Sequence, residues 1–208
     1  MSRKLLTRKD SPNIYNVVDK MSAALSIKDI NVYEYDSEQY TGEASSKGIA
    51  FPSALIRDAQ LHPHVFEFFV GHELIHYYNK EYGLKQAWSF AVAALSTVVM
   101  MKRPMQIDNA KRLLKEMRAN IDGATLAGLN NTQIVNAQNL AQAKNNDSRI
   151  PDSYKVGYPD RNMISNYCTV YQKFDEGVAR KILDDFCTKL DVADKDQFID
   201  EIVEDFFY

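Results

Sequence analysis

The chain has 208 residues, 45% hydrophobic and 25% charged, a size and balance that suit one globular domain with room for a helical appendage. Lys and Arg total 25 against 28 Asp and Glu, with no long block of either sign, so the charge gives no reason to expect a nucleic-acid partner. Two cysteines, Cys168 and Cys187, are too few for a disulfide scaffold and point to reduced thiols and a cytoplasmic setting.

Met1 through Asp10 carry basic residues but no apolar core of signal-peptide length. Ser11-Pro12 then opens a segment in which Ile14, Val17, Val18, Met21 and Leu25 recur at helical spacing, which predicts a helix to about Ser26. Ile30, Val32, Tyr33 and Tyr35 read as a strand. Thr41-Gly42 punctuates, and Gly48-Ile49-Ala50-Phe51 reads as a second short strand stopped by Pro52.

From Val65 to Tyr82 the apolar pattern is dense and helical, with Gly83 as the expected stop. The run Ala87 to Met101 is apolar but, at about 15 residues, shorter than the roughly 20 of a spanning helix, which favours a core helix and argues against membrane association. Another helix is predicted from about Asp108 to Leu129, with Leu113, Leu114, Met117, Ile121 and Ala124 facing a core and Asn130-Asn131-Thr132 ending it. Residues 141 to 158 turn polar and read as a loop, and a helical region from about Met163 to Phe207 completes the chain. The expected fold class is α+β, mainly helical, with a small sheet beside one central helix: one domain over residues 1–208, its core at about 10–140 and a helical extension at about 160–208.

That central helix carries His72-Glu73-Leu74-Ile75-His76. Residues four apart stack on one helical face, so both imidazoles can reach one metal ion, while Glu73 lies about a third of a turn away and can reach a water beside it. Glu73-x-x-His76 also satisfies the spacing of di-iron bundles, but that chemistry needs the motif twice, and Ala59 and Leu61 stand three residues before His62 and His64. His62 and His64 read as solvated loop residues.

A catalytic zinc commonly takes three protein ligands, and no histidine follows His76, so the third is sought among carboxylates. Glu116 is the first choice, with Asp122 and Glu81 as fallbacks. Glu116 and Asn120 are again four apart, so Asn120 can accept a hydrogen bond from a ligand histidine and orient its ring. Tyr77 and Tyr78 are expected to pack in the core, and the aromatic C-terminus to pack on the domain.

Gly71-His72-Glu73-Leu74-Ile75-His76, the downstream Glu116-x-x-Ala119-Asn120, and the upstream course from Ser11-Pro12 through Phe51 resemble the gluzincin metallopeptidases related to the CAAX prenyl endopeptidases and HtpX-type proteases, over about residues 10 to 130. The resemblance implies a zincin-like metallopeptidase domain in which one zinc ion is held by His72, His76 and Glu116, Glu73 is the general base, and a protein or peptide substrate pairs along the strand Gly48, Ile49, Ala50, Phe51. The family carries Asp where this chain has Asn120. Tyr158-Pro159 is similar to a late His-Pro segment of the family, which makes Arg161 a candidate for holding the transition state, beside Tyr154 and Tyr158. The alternative is a binding or regulatory module that keeps the fold without the catalysis.

Overall fold

In a computed structural model that describes residues 3–82, 102–145 and 153–208, the chain is mainly helical with one four-stranded sheet. Helix α1 (Pro12–Ala24) starts at its proline, whose missing amide hydrogen is no loss in a first turn, and buries Ile14, Tyr15, Val18 and Met21. The buried Tyr15 hydroxyl donates to the carbonyl of Leu6 at 3.0 Å, fastening the helix to the chain leading into the sheet.

The sheet runs in the order β1-β2-β4-β3. Strands β2 (Val32–Tyr35) and β4 (Gly48–Pro52), both expected from the sequence, pair in parallel at its centre. The two outer strands were not expected. β1 (Arg3–Leu5) and β3 (Glu43–Ser45) are three residues each and carry polar side chains, as exposed edges do, so neither shows an apolar alternation.

This order corrects one expectation. From Gly48 to Ala50, β4 is paired with β3 on one side, and from Ile49 to Pro52 with β2 on the other, so its backbone groups are engaged within the sheet. Gly48, Ile49 and Ala50 are thus covered by β3 on the side where a peptide was expected to pair, while Phe51 pairs with β2 alone; the outer strand that lies against the central helix is β3.

Helix α2 (Ser53–Asp58) leads to the central helix α3 (Pro63–Tyr78). His62 is the N-cap of α3 and His64 stands in its first turn. Every residue from Phe68 to His76 is buried, because the sheet covers one side of α3 and a later helix the other. Phe51 of β4 meets Phe66 of α3 edge to face, ring centres 5.4 Å apart, a favoured aromatic geometry. Tyr78 is exposed instead of core-packed, because the last turn projects beyond this cover, while Tyr77 packs on Tyr82.

Helix α4 (Lys102–Ala127) starts earlier than the sequence suggested, and the segment Asn130-Asn131-Thr132 opens a new helix, α5 (Asn131–Asn145). The side chain and backbone of Asn130 and Gln133 exchange hydrogen bonds of 2.9 and 3.0 Å, so the polar cluster read as a stop serves as a cap. Helices α6 (Ser153–Val156), α7 (Arg161–Val170), α8 (Glu176–Leu190) and α9 (Lys195–Phe207) follow. The apolar run 87–101 lies outside the described residues; among those described, no helix is long and apolar enough to cross a membrane.

Two compact units divide the chain. The first holds residues 3–82, 118–145 and 161–173, which comprise the sheet, α1 to α3, the second half of α4, α5 and α7. The second holds residues 102–117, 153–160 and 174–208, where Phe186 stacks on Phe198 and Phe206 and Phe207 pack on Phe174. The aromatic C-terminus thus packs within its own unit, as expected.

In the first unit, the fully buried Tyr40 donates its hydroxyl to Asp58 at 2.5 Å. That bond, joined by Lys144, holds the Asp58 carboxyl below its usual range, while burial followed by the Asp58 bond raises the Tyr40 phenol. A lowered carboxylate contributes stability above its unfolded pKa of about 4 and loses it as the pH falls further. Asp58→Ala, which strands a buried hydroxyl, should cost about 1–3 kcal/mol at pH 7. In urea titrations the gap to wild type should narrow on acidification below about pH 4.

Candidate metal centre

The site is built where α3 and α4 touch. A β-carbon on Gly71 would stand 2.3 Å from the carbonyl oxygen of Gly123, and one on Gly123 would stand 2.6 Å from the amide nitrogen of His72. Neither approach is possible with a larger residue, because the obstruction is backbone. Two glycines therefore let the helices meet main chain to main chain, and the side chains just before Gly123 on α4 reach those just after Gly71 on α3.

His72, Glu73 and His76 are buried to 6%, 1% and 3% exposure, and Glu116 and Asn120 to 5% and 3%. His72 Nδ1 lies 3.0 Å from the carboxamide oxygen of Asn120, and His76 Nδ1 lies 3.1 Å from a carboxylate oxygen of Glu81. Both partners are acceptors, so each Nδ1 carries a hydrogen and donates it. In the neutral rings each Nε2 then presents a lone pair.

Those two Nε2 atoms face each other at 3.1 Å. With both Nδ1 atoms engaged outward, the point between the two Nε2 atoms is where one cation could be held. Their separation is close to the roughly 3.3 Å edge of a tetrahedron with bonds of about 2.0–2.1 Å. Glu116 supplies the third donor: an oxygen of its carboxylate and the two ring nitrogens all lie within 4.8 Å of one another. Among the described residues this is the only group of histidine, cysteine and carboxylate side chains that could hold a metal ion. Two imidazoles and a carboxylate are a donor set that fits one divalent ion, zinc among them.

Glu73 stands apart from that group. Its Oε1 lies 3.8 Å from His72 Nε2, beside the shared point but outside the donor triangle. The one-residue step from His72 to Glu73 turns the side chain by about a third of a helical turn, which separates a ligand from a neighbour.

The end of α3 sets the second support. Lys80, with φ of 56°, takes the left-handed conformation, its amide donating to Tyr77 and that of Glu81 to His76, at 3.1 and 2.9 Å. This is the paired 6→1 and 5→2 pattern that closes helices, usually with glycine at the left-handed position. The helix therefore stops at Tyr78 and not near Gly83, and the reversal carries Glu81 back onto the His76 ring. Arg118 of α4 grips the other oxygen of Glu81 at 2.5 Å.

Of the residues named from the sequence, the structure gathers His72, His76, Glu116, Asn120 and Glu73. Glu81, a fallback ligand, instead orients His76. Asp122 is half-buried near Cys168. Arg161 opens α7 and donates to the side-chain oxygen of Gln138 on α5 at 3.0 Å, Tyr154 packs on Phe186, and Tyr158 is exposed. His62 and His64 are not among the metal-holding group. Sequence reasoning missed Arg118 and Gly123, although a glycine inside a strong helical pattern signals a close backbone approach.

No family model, curated protein or solved structure matches the chain. Its chemistry is read from its own geometry.

Purified, chelator-stripped protein should bind one equivalent of zinc, and His72→Ala, His76→Ala or Glu116→Ala should abolish that stoichiometric binding. Asn120→Ala and Glu81→Ala, which release one ring each, should weaken it about 10- to 100-fold in competition with a chromogenic chelator. Gly123→Ala should weaken it too, although its side chain would touch no donor.

Proposed function

We propose that this protein is a zinc-dependent endopeptidase of gluzincin type, with His72, His76 and Glu116 as ligands and Glu73 as general base. The observation that supports the reading is the buried grouping of His72, His76 and Glu116, whose donor atoms lie within 4.8 Å of one another, with a second buried carboxylate, Glu73, 3.8 Å from His72 Nε2. A site that only stored or sensed an ion would have no use for Glu73.

Bound there, zinc would supply Lewis-acid polarisation of a carbonyl and acidification of water. The chain's own groups do the rest. Glu73 Oε1 takes a proton from water as the water oxygen bonds to the carbonyl carbon of the substrate, and passes that proton to the leaving nitrogen as the C–N bond breaks. Burial of Glu73 to 1% exposure keeps this carboxylate out of bulk water. Asn120 and the Glu81–Arg118 pair hold the two rings still while charge builds at the reaction centre, so that little reorganisation is needed.

An extended substrate has a strand to pair with. β3 (Glu43–Ser45) is the outer strand of the sheet, uses β4 on its inner side and lies against α3. A peptide added along it would run beside α3, which carries the histidines, its backbone held by strand addition. Arg161 is retained as a candidate donor to the developing oxyanion, in exchange for its bond to Gln138.

Glu73→Gln provides the test. The variant should keep one equivalent of zinc and lose about 10²- to 10⁴-fold in cleavage of a proteome-derived peptide library followed by mass spectrometry. Zinc-loaded wild type that cleaves nothing in that library, or a Glu73→Gln protein as active as wild type, would leave the binding-module reading in its place.

A further inference from the structure

Glu73 is held by more than its own helix. Gly42, in the loop that precedes β3, lies so close that a β-carbon there would stand 2.5 Å from Glu73 Cγ, 2.8 Å from Cδ and 2.6 Å from Oε1. Oε1 is the same oxygen that lies 3.8 Å from His72 Nε2. The hydrogen-only face of Gly42 is thus the wall on which the reactive end of Glu73 rests.

That wall is fastened residue by residue. Tyr40 donates its amide to Asn145 Oδ1 at 2.6 Å and accepts from Asn145 Nδ2 at 2.8 Å, so one side chain at the end of α5 satisfies both backbone groups of Tyr40 as a neighbouring strand would. Lys144 sits over the Tyr40 ring at 5.2 Å and bonds Asp58, the acceptor of the Tyr40 hydroxyl. Next along the chain, the hydroxyls of Thr41 and Tyr35 share a hydrogen bond of 2.8 Å. Three consecutive residues are therefore anchored to α5, to β2 and to Glu73 itself.

We infer that Gly42 is a positioning residue for Glu73, and that the Tyr40–Asn145 clamp holds it there, so that the end of α5 sets where the carboxylate points. The inference rests on the reading of Glu73 as the base. It explains why this loop is tied down by a residue 105 positions away in the chain although none of the clamp touches the donor group. The three atoms nearest to an alanine β-carbon at 42 all belong to the Glu73 side chain, from Cγ outward, and Gly42 has no positive φ, so the substitution bears first on the Glu73 side chain and its carboxylate.

Gly42→Ala and Asn145→Ala test the two halves. Gly42→Ala should bind zinc as wild type does, keep KM for a library-derived reporter peptide and lose about 10²-fold in kcat, the cost of a misplaced reacting group. Asn145→Ala should shift kcat in the same direction with KM and zinc affinity unchanged. A crystal structure of Gly42→Ala should show the Glu73 carboxylate displaced, with His72, His76 and Glu116 in place. A Gly42→Ala protein with wild-type kcat, or one whose Glu73 carboxylate has not moved, overturns the assignment. Wild-type kcat in Asn145→Ala overturns the clamp. Should zinc-loaded wild type cleave no peptide, the peptidase reading fails, and the crystallographic position of Glu73 alone decides the role of Gly42.

Discussion

The close meeting of Gly71 and Gly123 governs the candidate centre. With side chains at either position the two backbones would have to part, and the carboxylate and carboxamide carried by α4 would withdraw from the histidines on α3. The cost of glycine in a helix interior, about 1 kcal/mol relative to alanine, is accepted twice. In return, three donor atoms stand within 4.8 Å of one another in a buried setting. Glu116 and Asn120 then need no special arrangement, since one helical turn separates them and Gly123 is three residues further on.

Around that contact the polar side chains divide by task. Asn120 and Glu81 each take the Nδ1 hydrogen of one histidine and so fix which nitrogen faces inward. Arg118 fixes Glu81 in turn. Gly42 bears on Glu73 from the sheet side. His72, His76 and Glu73 are thereby each oriented by a residue outside α3, which is how a site made from few residues attains a single geometry. The left-handed Lys80 belongs to the same scheme: a non-glycine residue there costs roughly 1–2 kcal/mol, offset by the two closing hydrogen bonds that return the chain to His76.

Much of this could be read from the residues. The i, i+4 histidines, the adjacent Glu73 and the Glu116–Asn120 pair follow from helical periodicity, and α1, β2, β4, α3 and α4 follow from apolar spacing. What could not be read depended on tertiary partners. β1 and β3 have no apolar alternation, being short edges, and without β3 the strand at Gly48 looked like an edge when it is interior. Helix α5 was hidden because its cap, Asn130 with Gln133, has the composition of a loop. The α3 terminus was misplaced because lysine, not glycine, makes the left-handed turn. Gly42 and Gly123 carry no chemistry of their own, so their importance appears only when the opposing atoms are in place.

Asn120 acquires a further meaning when formal charges are counted. Glu73, Glu116 and Glu81 bring three acidic side chains to this neighbourhood and Arg118 brings one basic one. An aspartate at position 120 would add a fourth acidic side chain to a buried region, where charge imbalance is expensive. The carboxamide gives His72 the same acceptor without adding a charge beside it.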